Sequence, residues 1–189
     1  MGAAPARLEH RGECALSLGR GASIDPREYL ARVETVLSRD FKVEHPAFRG
    51  RPALAGYRSD FRWGWFASRL DTTVALTVFA HDEPFEAALD GYLEDVLYWG
   101  LRQRKVRRSG LEPWNAAIAV AVLTLPSEIP PAWARRAHGH RVGSLGYPVA
   151  VDLVKSSVVQ PEVMVIGRRF ASYLREITDR VVAAPLKAQ

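Results

Sequence analysis

The chain has 189 residues with a formal net charge of +5, and 48% of the residues are hydrophobic, which predicts one globular domain with a sizeable core. No apolar run reaches the roughly 20 residues of a membrane-spanning helix, and Cys14 is the single cysteine, so an internal disulfide is excluded. The N-terminus also lacks the apolar stretch of a signal peptide, and we therefore expect a cytoplasmic protein without a membrane span.

The first 23 residues are rich in small side chains and predict a mostly flexible tail, so the single domain is expected over residues 24–184. Asp25 and Pro26 mark the start of a first helix, because aspartate can cap free backbone N–H groups and proline suits the first turn. Apolar residues at spacings of three and four continue this helix to about Asp40. Residues 54–66 and 72–80 alternate in polarity and predict two strands of an antiparallel hairpin.

The second half of the chain centres on a ten-residue apolar run. A second helix is predicted from Pro84 to about residue 104. Residues 116–125 then contain one polar side chain, Thr124, and many β-branched ones, which predicts a strand buried on both faces. A short helix is expected at 131–137, two further strands at 147–154 and 158–159 with a tight turn between them, and a last helix from Phe170 that ends before Pro185.

These elements predict an α+β fold. The sheet should be mixed and largely antiparallel, with the doubly covered central strand at 116–125 and helices on both faces. Residues 185–189 would form a C-terminal tail. No internal repeat or low-complexity linker divides the domain.

The leading functional hypothesis is a non-enzymatic module for binding or assembly, with a protein partner or a second copy of the chain as its ligand. Tyr57, Phe61, Trp63 and Trp65 share one face of the first hairpin strand, and most of this face is expected to lie in the core. Any exposed part, above all Trp63 and Trp65, would be the protein-binding surface, because tryptophan is enriched at interface hot spots.

Nucleic acid is the alternative ligand, through two basic segments. All but four of the 26 basic residues are arginine, as is typical of a GC-rich genome, so arginine content alone carries no functional message. Clustered cations, however, can contact phosphates. The candidate residues are Arg102, Arg104, Lys105, Arg107 and Arg108 in the first segment, and Arg135, Arg136, His138, His140 and Arg141 in the second.

A metal-dependent hydrolase, similar to nucleases with a carboxylate–carboxylate–lysine site, is the enzymatic alternative. Asp71, Asp152 and Lys155 are the weak catalytic candidates. In such nucleases the lysine follows an acidic residue by two positions, whereas Lys155 follows Asp152 by three and would face the other side of a regular strand. Asp152 is instead expected to pair with Arg168 or Arg169. The histidines are too dispersed for a zinc site, so we expect no metal and no cofactor.

Overall fold

The fold is built around the strand β6, Trp114–Leu123, in a computed structural model that describes residues 24–62, 68–79, 85–103, 114–125, 143–162, 164 and 167–188. β6 lies inside a six-stranded sheet of order β1-β4-β5-β6-β7-β8, beside a two-stranded hairpin of β2 and β3. The other strands are β1 Lys42–Glu44, β2 Ala47–Phe48, β3 Arg51–Pro52, β4 Leu54–Arg62, β5 Ser68–Phe79, β7 Ser144–Asp152 and β8 Ser157–Val159.

Three of the five pairings in the large sheet are antiparallel, and β6 itself pairs parallel with both β5 and β7. The hairpin predicted from the alternating segments is present, because β4 and β5 pair antiparallel over nine positions from Leu54↔Leu76 to Arg62↔Ser68. A parallel pair needs a crossover, and helix α2, Phe85–Gln103, lies between β5 and β6 in the chain.

Helices cover both faces of the sheet. Helix α1, Pro26–Asp40, begins as predicted, since the Asp25 carboxylate accepts a hydrogen bond from the backbone N–H of Arg27 at 2.7 Å. The C-terminal helix consists of a 3-10 turn Arg168–Phe170, an α-helical part (α3) Ala171–Thr178, a π-helical stretch Asp179–Ala183 and a last turn Ala184–Lys187. The Tyr29 hydroxyl donates to the Val182 carbonyl at 3.0 Å, which joins α1 to the C-terminal helix.

Alternate residues of β6 face two separate cores. Ile118, Val120 and Val122 pack in a cluster with side chains of α1 and the C-terminal helix. Ala117, Ala119 and Ala121 face α2 on the other side. The small alanine side chains leave room for the large residues of α2 that pack there, including Tyr92 and Leu93, so one strand supports two helical layers.

The α+β architecture, with a mixed sheet, a doubly covered central strand and helices on both faces, is therefore confirmed. The central strand begins and ends two residues earlier than predicted, and Leu125 beyond it is 47% exposed. Within the described ranges, none of the helices combines the length and apolar character needed to span a membrane.

The prediction that the last helix ends before Pro185 is wrong. The helix continues to Lys187, and Leu186 is buried. Proline disrupts a regular α-helix because it lacks an N–H and its ring crowds the preceding turn. Here the wider π-helical stretch ends directly before Ala184 and Pro185, and the proline falls in the first turn of the next α-helical segment, where its missing N–H is tolerated. The predicted N-terminal tail and the helix at 131–137 lie outside the described residues.

Candidate functional site

Asp71, the first catalytic candidate, is held between the two hairpin strands. Its carboxylate is 1% exposed and accepts hydrogen bonds from the Ser59 hydroxyl at 2.5 Å and from Arg69 Nε at 3.2 Å. Ser59 is its partner across the strands in the β4–β5 register. The arginine compensates a buried charge that would otherwise be costly, so these contacts give Asp71 a structural role in the hairpin.

Asp152, the second candidate, closes the turn between β7 and β8. One carboxylate oxygen accepts the backbone N–H groups of Val154 and Lys155, both at 2.9 Å. Lys155 Nζ lies 3.9 Å from the other oxygen, which is an ion-pair distance but too long for a hydrogen bond. The strand ends at Asp152, so Lys155 lies in the turn and returns to the same side, in contrast to the arrangement expected for a regular strand.

The expected arginine partner of Asp152 is therefore wrong. Neither Arg168 nor Arg169 is among the contacts of its carboxylate in the described part of the chain. The guanidinium of Arg169 instead lies 5.0 Å from the centre of the Trp114 ring and 4.8 Å from that of Phe170. The turn itself supplies two donors to one carboxylate oxygen, while the other oxygen, Oδ2, is buried without a hydrogen-bond partner in the described part of the chain.

The structure does not bring Asp71 and Asp152 together. Asp71 is in register with Asn115 at the beginning of the parallel strands, whereas Asp152 is in register with Leu123 at their other end. The eight steps along the strand from Asn115 to Leu123 correspond to about 26 Å at about 3.3 Å per residue. A metal ion held by both carboxylates needs them within a few ångströms, so the geometry does not favour the nuclease alternative.

Of the predicted binding residues, only Arg102 lies within the described residues. Its guanidinium packs 5.1 Å from the centre of the Tyr98 ring in the last turns of α2. Trp63 and Trp65 lie outside the described residues. The nine other basic candidates also lie outside them, namely Arg104, Lys105, Arg107, Arg108, Arg135, Arg136, His138, His140 and Arg141.

The aromatic face of β4 is only partly in the core. Tyr57 is half-buried against the α2 side of the sheet, but Phe61 is 53% exposed. Phe61 lies near the end of β4, and α2 ends at Gln103, whose side chain donates to Glu44 Oε2 at 3.4 Å. Glu44 in β1 is in register with Ala55, six positions before Phe61, so this part of the sheet extends past Gln103, the last described residue of the helix.

A second exposed surface is the outer face of α2, which we define as Glu94, Tyr98, Leu101 and Arg102. These residues recur at spacings of three and four and therefore share one side of the helix. Tyr98 is 63% exposed and Leu101 is 38% exposed. Glu94 and Arg102 are also exposed, so an aromatic ring lies midway between charges of opposite sign.

Sequence reasoning missed a cavity of about 310 Å³ between the β2–β3 hairpin and α2, which we call the hairpin cavity. Arg49 and Gly50 form the two-residue turn of this hairpin, with φ of 50° and 80°, and such positive values are typical of a type I′ turn. The residues that line the cavity include Phe48, Arg49, Arg51, Ala88, Tyr92 and Asp95. No local pattern in the sequence indicated that α2 packs against this hairpin.

Two aromatic contacts hold the Tyr92 ring, which lines the hairpin cavity. Phe48 packs edge-on against Tyr92 with ring centres 5.6 Å apart, and Phe79 packs in the same way against Tyr92 at 5.7 Å. Burial raises the pKa of the Tyr92 hydroxyl well above its usual value.

Comparisons with models of protein families, with curated proteins and with solved structures found no match for this chain.

Proposed function

We propose that the protein is a non-enzymatic module for binding and assembly, and that the outer face of α2 is a contact surface for a second copy of the chain. The observation that carries this proposal is the spacing of Glu94, Tyr98 and Arg102, each four residues from the next on an exposed side of the helix. The opposite charges are therefore placed symmetrically around an exposed aromatic ring.

This arrangement is self-complementary when two copies of α2 pair in opposite directions. With the two Tyr98 rings at the centre, Glu94 of each copy lies opposite Arg102 of the other, so the contact has the two-fold symmetry of most homodimers. A parallel pairing would place like charges together and is disfavoured. Leu101 adds apolar area beside Tyr98, and tyrosine and arginine are both enriched among residues that contribute strongly to protein interfaces.

The environments of the two carboxylates support the non-enzymatic part of the proposal. Asp71 is bound by Ser59 and Arg69, and Asp152 by the backbone of its own turn. The carboxylates also lie at opposite ends of the parallel strands, too far apart to hold one metal ion together.

A charge-reversal experiment tests the contact. We expect wild-type protein to show concentration-dependent dimerisation in sedimentation equilibrium and native mass measurements. Glu94→Arg and Arg102→Glu should each weaken it at least tenfold, about 1.4 kcal/mol, because each change places like charges opposite one another. The double variant restores opposite charges and should recover dimerisation. Glu176→Arg, at an exposed helical glutamate on the other face of the sheet, is the control.

Two results would contradict this proposal. One is a monomer at every concentration of the wild-type protein, and the other is dimerisation that neither single reversal affects. Recovery in the double variant is the most informative outcome, since a general loss of folding in the single variants could not be reversed by a second charge change. The double variant also keeps the net charge of +5 unchanged.

Nucleic-acid binding is the competing proposal, and its salt dependence distinguishes it. Each neutralised phosphate contributes a slope of roughly −0.9 to the logarithmic dependence of affinity on salt for duplex DNA. Replacing Arg104, Arg107 and Arg108 by alanine should then flatten the slope by about the number of lost contacts. We expect at most weak, salt-sensitive binding without sequence preference. A tight, sequence-selective complex at physiological salt would favour nucleic acid over the second copy.

A further inference from the structure

The hairpin cavity combines cationic and aromatic walls. The hairpin contributes Phe48, Arg49 and Arg51, and α2 contributes Tyr92 and Asp95. The Arg51 guanidinium lies 5.0 Å from the centre of the Phe79 ring, and Arg49 is on the exposed rim. Cavities that bind small molecules are mostly apolar with a few fixed polar groups, and about 310 Å³ is at the small end of their usual range.

Arg49 is held in one orientation by α2. Its Nε donates to Asp95 Oδ2 at 2.7 Å. Its guanidinium also packs flat against Gly91, where an added Cβ would lie 2.8 Å from Nη1 and 3.1 Å from Cζ. The absence of a side chain at Gly91 therefore makes room for the guanidinium, and the contact with Asp95 sets its rotation.

The ion pair with Asp95 uses only one edge of this guanidinium. Arg49 has no further hydrogen-bond partner within the described residues, so both of its Nη groups remain able to donate. Two N–H groups of a guanidinium match the spacing of two oxygens on a carboxylate or phosphate. Because the guanidinium is already oriented, little conformational freedom would be lost when such a group binds.

The backbone at Arg49 adds an independent observation. Its φ of 50° belongs to the left-handed region, which is unfavourable for a side chain of this kind and which glycine or asparagine would adopt more readily. The hairpin keeps this conformation, and Arg49 thereby reaches Gly91 and Asp95. Strained positions of this kind are concentrated at ligand-binding sites.

We propose that the hairpin cavity binds a small organic anion, with a carboxylate or phosphate group at Arg49 and an apolar body of about one ring against Phe48 and Tyr92. Arg51 also lines the cavity and adds a second positive charge. The proposal goes beyond the assembly function and does not depend on it, since a monomeric protein would contain the same cavity.

Three probes of similar shape test the chemistry on the full chain. Benzoate and phenyl phosphate carry the two candidate anionic groups, and benzamide is the neutral counterpart of benzoate. We expect saturable binding of at least one anion in an NMR or calorimetric titration, at least tenfold tighter than benzamide. The stronger of the two anions identifies the group that Arg49 recognises.

Gly91→Ala is the most specific variant, because the added methyl group would displace the Arg49 guanidinium from its position against Gly91. It should weaken anion binding at least tenfold while the protein stays folded, since alanine is favoured over glycine within a helix. Arg49→Gly should abolish binding while relieving the backbone strain, so the melting temperature should not fall. Arg39→Ala removes an exposed arginine from α1, outside the cavity, and should leave affinity unchanged.

The proposal is overturned if neither anion binds saturably at concentrations up to about 10 mM, roughly tenfold above the weakest affinity of interest. It is also overturned if benzamide binds as tightly as benzoate, or if Arg49→Gly and Gly91→Ala retain wild-type affinity. Melting curves for both variants are the check on folding, and a loss of binding in a variant that melts like the wild-type protein is attributable to the guanidinium.

Discussion

Replacing Val120 by aspartate tests whether β6 is the buried centre of the fold. Val120 is fully buried and lies in register between Leu76 of β5 and Val149 of β7. Its side chain belongs to the core shared with α1 and the C-terminal helix. An aspartate at this position would replace the two methyl groups of Val120 by a carboxyl group that is surrounded by apolar side chains.

The expected cost comes from two terms. Removing two methyl groups from the core costs about 1.6 kcal/mol, at about 0.8 kcal/mol per buried carbon. A carboxyl with no partner there has to remain protonated, which costs about 1.4 kcal/mol for each pH unit above its ordinary pKa of about 3.9, or about 4 kcal/mol at pH 7. The loss of about 6 kcal/mol is comparable to the whole stability of a typical domain, about 5–15 kcal/mol.

The assay compares soluble yield and urea unfolding for Val120→Asp, Val120→Ala and Val78→Asp. Val78 is 38% exposed in the neighbouring strand, so the same chemical change there should cost only about 1 kcal/mol. Val120→Ala should lose about 2–3 kcal/mol through lost burial and a small cavity. If Val120→Asp is soluble and unfolds cooperatively with the stability of Val78→Asp, the central position of β6 is wrong.

Two further predictions concern buried polar groups. Burial raises the pKa of the Tyr29 hydroxyl, so above pH 10 the unfolded chain loses this proton while the folded chain keeps it. Tyr29 should therefore contribute up to about 1.4 kcal/mol per pH unit to the alkaline loss of stability in urea unfolding, beside buried tyrosines such as Tyr92. Tyr29→Phe should reduce that slope, and an unchanged slope would contradict the assignment. Asp152→Asn keeps an oxygen acceptor for the turn and should cost under about 1 kcal/mol, whereas Asp152→Ala should cost about 2–3 kcal/mol. Equal losses would refute a turn-closing role, and nucleic-acid cleavage abolished by both Asp152→Asn and Asp71→Asn would restore the nuclease alternative.

Local sequence patterns predicted those elements for which the neighbouring residues exclude every other structure. An apolar run such as 116–125 is too short for a membrane and has no helical spacing, so a doubly covered strand follows from it. Likewise, the carboxylate of Asp25 before Pro26 has a defined use at a helix start. In both cases the information lies within a few neighbouring residues.

The environment of Asp152 shows why the site was harder to predict. Alternation placed Asp152 within a strand that continued to residue 154, and on that assumption a distant arginine was the natural partner. The strand ends at Asp152, and two backbone N–H groups of the following turn donate to one oxygen of the carboxylate. A difference of two residues in a strand boundary therefore changes the partner from a side chain to the backbone.

The hairpin cavity depends on contacts that no local pattern contains. Arg49 and Asp95 are separated by 46 residues, and they meet because α2 crosses the sheet beside the β2–β3 hairpin. The separation of Asp71 and Asp152 is non-local in the same sense, since it follows from the parallel direction of β5, β6 and β7. Side chains that lie far apart in sequence become a site only when strand direction and helix position are known.

The two proposed surfaces occupy successive turns of α2. Arg49 covers the helix at Gly91 and Asp95, and the following turns are exposed at Tyr98 and Arg102. The two proposals can therefore be separated by mutation on one helix. Gly91→Ala should weaken anion binding and leave dimerisation in sedimentation equilibrium unchanged. Arg102→Glu should weaken dimerisation and leave anion binding unchanged. If either variant altered both measurements, the simplest physical explanation would be a shift of α2 on the alanine-rich face of the sheet, because that packing positions both surfaces.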